Sequence, residues 1–187
     1  MIANSICAAD PKPAKEPVTP HPQRFIYRIT GLFSQDREAD LKDVLQDLPG
    51  LQLISVDFDH AEGVFEYDPA LLFPNAKPEE LVTRVDNRIR GASESTFGIQ
   101  PLYPTPREQL KRVEIVVLGV DCKACCLAAY ESIYKIDGVA QATASFRNRR
   151  VTALIDPTKT NEAELIAALK KRNVSFPKPA DAAAPAK

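Results

Sequence analysis

The chain repeats itself at a constant offset of 88 residues, and this repeat restricts the possible folds more than any other feature. The matched residues are turn formers, and they pair along the chain without a gap: Gly31 with Gly119, Gly50 with Gly138, and Asp68-Pro69 with Asp156-Pro157. Turn residues at fixed places within similar hydrophobic patterns indicate one supersecondary plan used twice. A chain of 187 residues can form two small domains or one of medium size. The repeat favours two small domains.

The second copy alternates between the hydrophobic spacing of strands and that of helices. Its predicted elements are, in order, a strand over 113–118, a helix over 124–135, strands over 140–146 and 150–155, a helix after Asn161 and a closing strand over 174–176. The first copy repeats this order with strands over 25–30, 51–58, 63–67 and 97–99 and with helices carrying Leu41 and Val85. The order β-α-β-β-α-β is the split βαβ arrangement. We therefore predict an α+β fold of two tandem ferredoxin-like domains, each a four-stranded antiparallel sheet with two helices on one face.

The distribution of the 16 prolines predicts the domain boundaries, because proline collects in tails and linkers. We expect an unstructured leader over 1–23, a first domain over 24–100, a proline-rich linker over 101–111, a second domain over 112–177 and a disordered tail over 178–187. Cys7-Ala8-Ala9 resembles the small residues before a signal-peptide cleavage point. It favours export, for example to a bacterial periplasm, over a cytoplasmic location.

Charge and hydropathy exclude several classes of function. Lysine and arginine total 24 against 25 acidic residues, a net charge of -1, so we expect no nucleic-acid partner. No apolar run approaches the length of a membrane span, so membrane insertion is not expected. The sequence shows no Ser/His/Asp set, phosphate-binding glycine loop or paired catalytic carboxylates, and this favours a protein that is not an enzyme.

Three of the four cysteines lie within five consecutive positions: Cys122, Cys125 and Cys126. This clustering favours a local thiol site over a disulfide framework. Cys122 falls in the predicted loop after the first strand and Cys125 in the first helical turn, so both sulfurs can point to one spot. The helix amino terminus and Lys123 favour the thiolate form, whereas Asp121 opposes it. Two soft thiolates suit Cu(I), and they would suit Zn(II) if two further ligands were present.

The segment from Gly119 to Cys125 resembles the Gly-Met-Thr-Cys-x-x-Cys motif of the heavy-metal-associated domain family, which includes copper chaperones, mercuric-ion carriers and the cytosolic arms of metal-pumping ATPases. The resemblance implies a ferredoxin-like fold and a soft ion held between Cys122 and Cys125. Cu(I) is the favoured ion, with Hg(II), Zn(II) and Cd(II) as alternatives. It also implies a partner that is a metal-transporting membrane protein or another metal-binding protein. The resemblance covers 113–176; the first copy shares only the pattern, since its loop over 34–38 has no thiol.

Val120 and Asp121 stand where the family usually has methionine and threonine, which alters packing and charge beside the thiols. Cys126 could supply a third sulfur or could be a small buried helix residue. Two other functions stay open: a thiol–disulfide redox protein and an interaction module whose metal site has decayed. In an oxidising compartment, Cys122 and Cys125 would form a disulfide.

Two polar turns need separate interpretations. Asp57, Asp59, His60 and Glu62 could form a hard-metal site, but acidic hairpin turns usually serve solubility. The basic tip over 147–150 is expected to be a solvated turn, with docking of an acidic partner as the alternative.

Overall fold

The computed structural model of the chain describes residues 21–177. The predicted cleavage point with Cys7 and the predicted tail over 178–187 lie outside the described residues. Each of the two domains is described in turn below, since each has its own hydrophobic core.

The first domain is a four-stranded antiparallel sheet whose helices pack on it. Its elements follow one another as β1 (Gln23–Thr30), α1 (Arg37–Gln46), β2 (Leu51–Asp57), β3 (Glu62–Tyr67), α2 (Pro69–Leu72), α3 (Leu81–Ala92) and β4 (Gly98–Gln100). The strand order is β2-β3-β1-β4, with every neighbouring pair antiparallel. Leu41 and Leu45 on α1 and Val85 and Ile89 on α3 are buried against the sheet. This is the predicted ferredoxin-like arrangement.

The second domain repeats this order with a smaller sheet. Its elements are β5 (Lys111–Val116), α4 (Lys123–Ile133), β6 (Val139–Ser145), β7 (Arg150–Ile155) and α5 (Glu162–Lys171). The sheet has three antiparallel strands in the order β5-β7-β6. The predicted fold class is confirmed, with one difference in this domain.

That difference is the closing strand, predicted over 174–176, which is reduced to a single bridge between Leu118 and Ser175. The two residues exchange backbone hydrogen bonds of 2.7 and 3.3 Å. Asn173 just before the bridge has a left-handed backbone with φ of 59°, and Pro177 just after it has no N–H to donate. Only three residues lie between Asn173 and Pro177, which is too few for a regular series of hydrogen bonds between two strands.

The repeat in sequence is also a repeat of backbone conformation. Left-handed backbone angles recur at the offset of 88 residues, at Gly31 and Gly119 (φ 90° and 77°), Gly50 and Gly138 (81° and 97°) and Ala61 and Arg149 (52° and 51°). The hydrogen bond from Ile29 N–H to Ala61 O corresponds in the same way to that from Val117 N–H to Arg149 O. The hairpin turns of the two domains are therefore built alike, although their side chains differ.

The two domains meet along β6, the outer strand of the second sheet. The N–H of Ala144 donates to the carbonyl oxygen of Phe33 at 2.8 Å. The Arg28 guanidinium donates to the carbonyl oxygens of Val139 and Ala140 at 3.1 and 3.0 Å. Polar backbone groups at a sheet edge invite pairing with another chain unless they are covered, and here the first domain covers them.

Within residues 21–177, every helix is too short or too polar to cross a lipid bilayer.

Candidate metal centre

The two motif cysteines lie where β5 gives way to α4. Gly119, with its positive φ of 77°, turns the chain out of the sheet, and Cys122 takes the N-cap position of α4 in an extended conformation. Its sulfur accepts the backbone N–H of Cys125 at 3.1 Å. A side chain at the N-cap normally binds one of the free amides of the first turn, so the capping position itself directs Sγ of Cys122 towards Cys125.

The structure brings these two sulfurs together as a disulfide, with the Cα atoms 5.1 Å apart. Cys122 is exposed and Cys125 is half-buried, so the bridge lies within reach of a thiol reductant in solvent. A metal ion needs both sulfurs as thiolates, and the bridged form must therefore take up two electrons and two protons before it can bind one.

The two departures from the family motif have different structural effects. Val120 is 2% exposed and packs in the core of the second domain, so a smaller apolar side chain fills the place beneath the loop. Asp121 is exposed. The packing under the loop is thus preserved, while one carboxylate has been added at its surface.

Lys123, between the motif cysteines, forms an ion pair with Asp36 of the first domain. Its Nζ lies 3.0 Å from Oδ2 of Asp36. Hydrogen bonds from Ser34 and then from Lys123 lower the pKa of Asp36 below its usual value. The charge of Lys123 is therefore shared with a carboxylate, which weakens its effect on the two sulfurs.

Cys126 lies on the buried face of α4 and takes no part in the disulfide. Its side chain is a free thiol that is 2% exposed, and burial raises its pKa above the usual value. Among residues 21–177, no group of three or more histidine, cysteine, aspartate or glutamate side chains is placed to hold a metal ion. Cys126 thus stays outside the disulfide that joins Cys122 and Cys125.

In the first domain, an arginine occupies the place of the second motif cysteine. Arg37 corresponds to Cys125 at the offset of 88 residues. Its guanidinium lies over the rings of Phe33 and Phe97, 5.4 and 4.5 Å from their centroids, and it forms an ion pair with Asp40. A permanent cation in this place repels a metal ion, in agreement with the predicted degeneracy of this copy.

The acidic hairpin turn of the first domain is ion-paired internally. Nδ1 of His60 lies 2.9 Å from Oδ2 of Asp57, and Arg107 from the linker pairs with both Asp57 and Glu62. Burial raises the pKa of Asp57, but hydrogen bonds from His60 and the charge of Arg107 outweigh it and lower the pKa. These contacts favour the predicted solvated turn over a hard-metal site. The sequence did not predict that Arg107 would form these two ion pairs with the turn.

The basic tip over 147–150 is also partly neutralised within its own domain. Arg150 pairs with Glu114 at 2.6 Å, and the guanidinium of Arg147 lies 6.0 Å from the ring centroid of Phe146. These contacts are those of a solvated turn.

No family model matches the chain. It is 24% identical over 157 residues to "Copper-transporting ATPase 2" from Homo sapiens. The match covers 76% of this chain but only 11% of the length of that protein. The similar solved structures include "CopZ metallochaperone" (23% identity, 35% of this chain and 97% of that one, TM-score 0.34). They also include oxidized MerP from Ralstonia metallidurans CH34 (26%, 35% and 92%, TM-score 0.34) and the N-terminal soluble domains of Bacillus subtilis CopA (18%, 89% and 100%, TM-score 0.35). The sequence similarity to part of a copper-transporting ATPase agrees with the resemblance to heavy-metal-associated domains that the segment from Gly119 to Cys125 predicts.

Proposed function

We propose that the second domain binds a soft metal ion, with Cu(I) as the first choice, between Cys122 and Cys125 and passes it on by ligand exchange. The observation that carries the proposal is the convergence of the two sulfurs at an accessible strand–loop–helix junction. The amino terminus of α4 stabilises negative charge on both sulfurs once the disulfide is reduced. The site then presents two adjacent thiolates to solvent.

The number of available ligands favours Cu(I) over Zn(II). Structural zinc is almost always bound by four ligands in a tetrahedron, and among the described residues no group of three or more ligating side chains lies together. Thiolates select soft ions such as Cu(I). Hg(II) and Cd(II) remain alternatives for the same pair of sulfurs.

Transfer to a partner requires that an incoming thiolate can reach the bound ion. Cys122 is exposed at the end of the loop, so a partner's sulfur can bind the ion before Cys122 or Cys125 releases it. The partner we propose is a metal-transporting membrane protein or a second metal-binding protein. The similarity to a protein named as a copper-transporting ATPase supports this choice. The step is a ligand exchange without covalent chemistry on a substrate, and we propose that the chain is not an enzyme.

An anaerobic Cu(I) titration against a chromophoric competitor tests the proposal. The chain is first fully reduced, and a Cys7→Ser background removes the thiol that lies outside the described residues. We expect one Cu(I) per chain, and loss of this binding in both Cys122→Ser and Cys125→Ser. Cys126→Ser is the matched control and should keep it. A stoichiometry near zero for the reduced parent chain would overturn the proposal in favour of an interaction module.

A thiol–disulfide redox function is the second candidate, and the observed disulfide favours it. In that case a dithiol reductant would reduce the Cys122–Cys125 bridge, and the resulting thiols would reduce a disulfide of a substrate protein. Insulin reduction measures this activity. Turnover that disappears in Cys122→Ser would support the redox function, whereas turnover no faster than the reductant alone would exclude it.

A further inference from the structure

Phe33 of the first domain is buried inside the second. It corresponds to Asp121 of the metal loop at the offset of 88 residues, yet Asp121 is exposed and Phe33 is 6% exposed. The Phe33 ring belongs to the core cluster of the second domain and lies 5.9 Å from the ring of Tyr130. A loop that reaches solvent in one domain is thus used for docking in the other.

The loop over 31–36, called the docked loop below, contacts the second domain at three further points. The Gly31 N–H donates to the hydroxyl of Tyr130 on α4 at 2.8 Å. The carbonyl oxygen of Phe33 accepts from Ala144 on β6, and Asp36 pairs with Lys123. The docked loop therefore lies across both α4 and β6, next to the two motif cysteines.

Cys126 lies in the same interface. Its side chain is in the buried cluster that contains Phe33, and it lines the same surface groove as Phe33, Ser34 and Asp36. In the sequence it follows Cys125 directly. Withdrawal of the docked loop would remove one wall around this thiol and open it to solvent.

We propose that the docked loop sets the number of sulfur ligands at the metal centre, by keeping Cys126 within the interface and leaving Cys122 and Cys125 as a pair. This inference rests on the proposed metal-binding function. It gives the thiol-free domain a role, since its loop can pack against α4 only with an apolar side chain in place of Asp121. Phe33 then acts as a positioning residue that selects for ions satisfied by two sulfurs.

Alkylation of Cys126 tests the docking without any metal. The full chain in the Cys7→Ser background is kept oxidised, so that Cys122 and Cys125 are bridged, and it is treated with iodoacetamide under native conditions while intact mass is recorded. Replacing this buried phenylalanine with a charged side chain should strongly raise the population of the form in which the docked loop is withdrawn. We expect Phe33→Asp to react about tenfold faster or more than the parent chain. Leu71→Asp, at an exposed apolar residue of the same domain, is the matched control and should react at the parent rate.

A second variant covers the case in which Phe33→Asp does not fold, as judged by circular dichroism. Asp36→Lys changes an exposed side chain and sets two like charges against each other at Lys123. Loss of the ion pair and the new repulsion between two lysines act in the same direction, so the acceleration should be about twofold to fivefold. Parent-like rates in the folded variants would overturn the inference.

The sulfur count around Cu(I), measured by X-ray absorption on the reduced chain, tests the consequence for the metal. We expect two sulfurs in the parent chain and in Leu71→Asp, and three in Phe33→Asp. Two sulfurs in every variant would overturn the inference while leaving the proposed function intact. Absence of Cu(I) binding in the parent chain would instead remove the proposed function, and the alkylation rates would still report on docking.

Discussion

The hydroxyl of Tyr130 on α4 accepts a hydrogen bond of 2.8 Å from the backbone N–H of Gly31 in the other domain. Both groups are buried, and a buried amide without an acceptor carries its full desolvation cost. We therefore expect Tyr130→Phe to lower the free energy of unfolding by about 1 to 3 kcal/mol, as measured by urea denaturation. Tyr134→Phe is the control: its ring stacks on Tyr130 with the centroids 4.6 Å apart, and this contact needs no hydroxyl. An equal loss in both variants would show that the hydrogen bond to Gly31 contributes nothing of its own.

Alkaline pH should destabilise the chain through the same tyrosine. Burial raises the pKa of Tyr130 to about 12, whereas the pKa of a tyrosine in the unfolded chain is about 10. A group whose pKa is raised on folding contributes its full stability below the unfolded pKa and loses it as the pH rises through the folded value. Stability should therefore fall between about pH 10 and 12. Tyr130→Phe should show a shallower fall in denaturation experiments across this range, and an unchanged slope would contradict the assignment.

The two equivalent glycines of the docked loop and the metal loop should respond differently to the same substitution. A Cβ added to Gly31 would lie 2.1 Å from the carbonyl oxygen of Thr96, whereas one added to Gly119 meets nothing within 4 Å. Both have positive φ, which costs an alanine about 1 to 2 kcal/mol. We expect Gly119→Ala to lower the free energy of unfolding by about 1 to 2 kcal/mol. Gly31→Ala should lower it by more than about 3 kcal/mol, because the backbone near Thr96 must also move to make room for the methyl group.

Thermal or urea unfolding of both variants measures this difference. Gly91→Ala provides a control, because a Cβ at this helical glycine meets no atom and alanine should stabilise the helix by about 0.5 to 1 kcal/mol. Equal losses of stability in Gly31→Ala and Gly119→Ala would mean that the backbone at Thr96 moves away from the added methyl group at no cost in free energy.

The repeat made most of each domain predictable from sequence. The sequence predicts turns at Gly31, Gly50, Gly119 and Gly138, and all four have the left-handed backbone that favours glycine. The sites of Cys122 and Cys125 followed from local rules as well, because a strand end and a helix start lie next to each other in sequence. The closing strand predicted over 174–176 was wrong in extent, since Val174 and Phe176 fit a strand by composition while Asn173 and Pro177 limit it to a single bridge.

The contact between the domains was missed because it depends on residues far apart in sequence. Phe33 carried a signal: an apolar side chain stands where the metal loop has an aspartate. The structure shows the covering of β6, in which Ala140, Gln141 and Ala142 are consecutive buried residues. Alternating burial would be expected for a strand with one face in water, so three in a row indicate cover on more than one side. The apolar side chain of Phe33 does not identify the surface that it covers, because that surface is set by the packing of the two folded domains.

The linker should stabilise the second domain in a way that acid removes. The hydroxyl of Thr105 donates to Oδ2 of Asp156 at 2.6 Å, while Thr158 donates to Oδ1 through its backbone N–H and its hydroxyl. The hydroxyl of Thr105 and then the Thr158 groups lower the pKa of Asp156. A group whose pKa is lowered on folding contributes stability above its unfolded pKa, near about 3.9 for aspartate, and loses it as the pH falls through the folded value.

Thr105→Val keeps the shape of the side chain and removes the donor, so the pKa of Asp156 should move up towards its ordinary value. A carboxyl-carbon NMR titration measures this shift directly, and the difference in stability between pH 7 and pH 3 should become smaller than in the parent chain. Thr83→Val on the exposed face of α3 is the matched control and should leave both quantities unchanged. An Asp156 that titrates identically in the parent chain and in Thr105→Val would show that the Thr158 groups alone hold the carboxylate, and that the linker is not fastened to the second domain at this point.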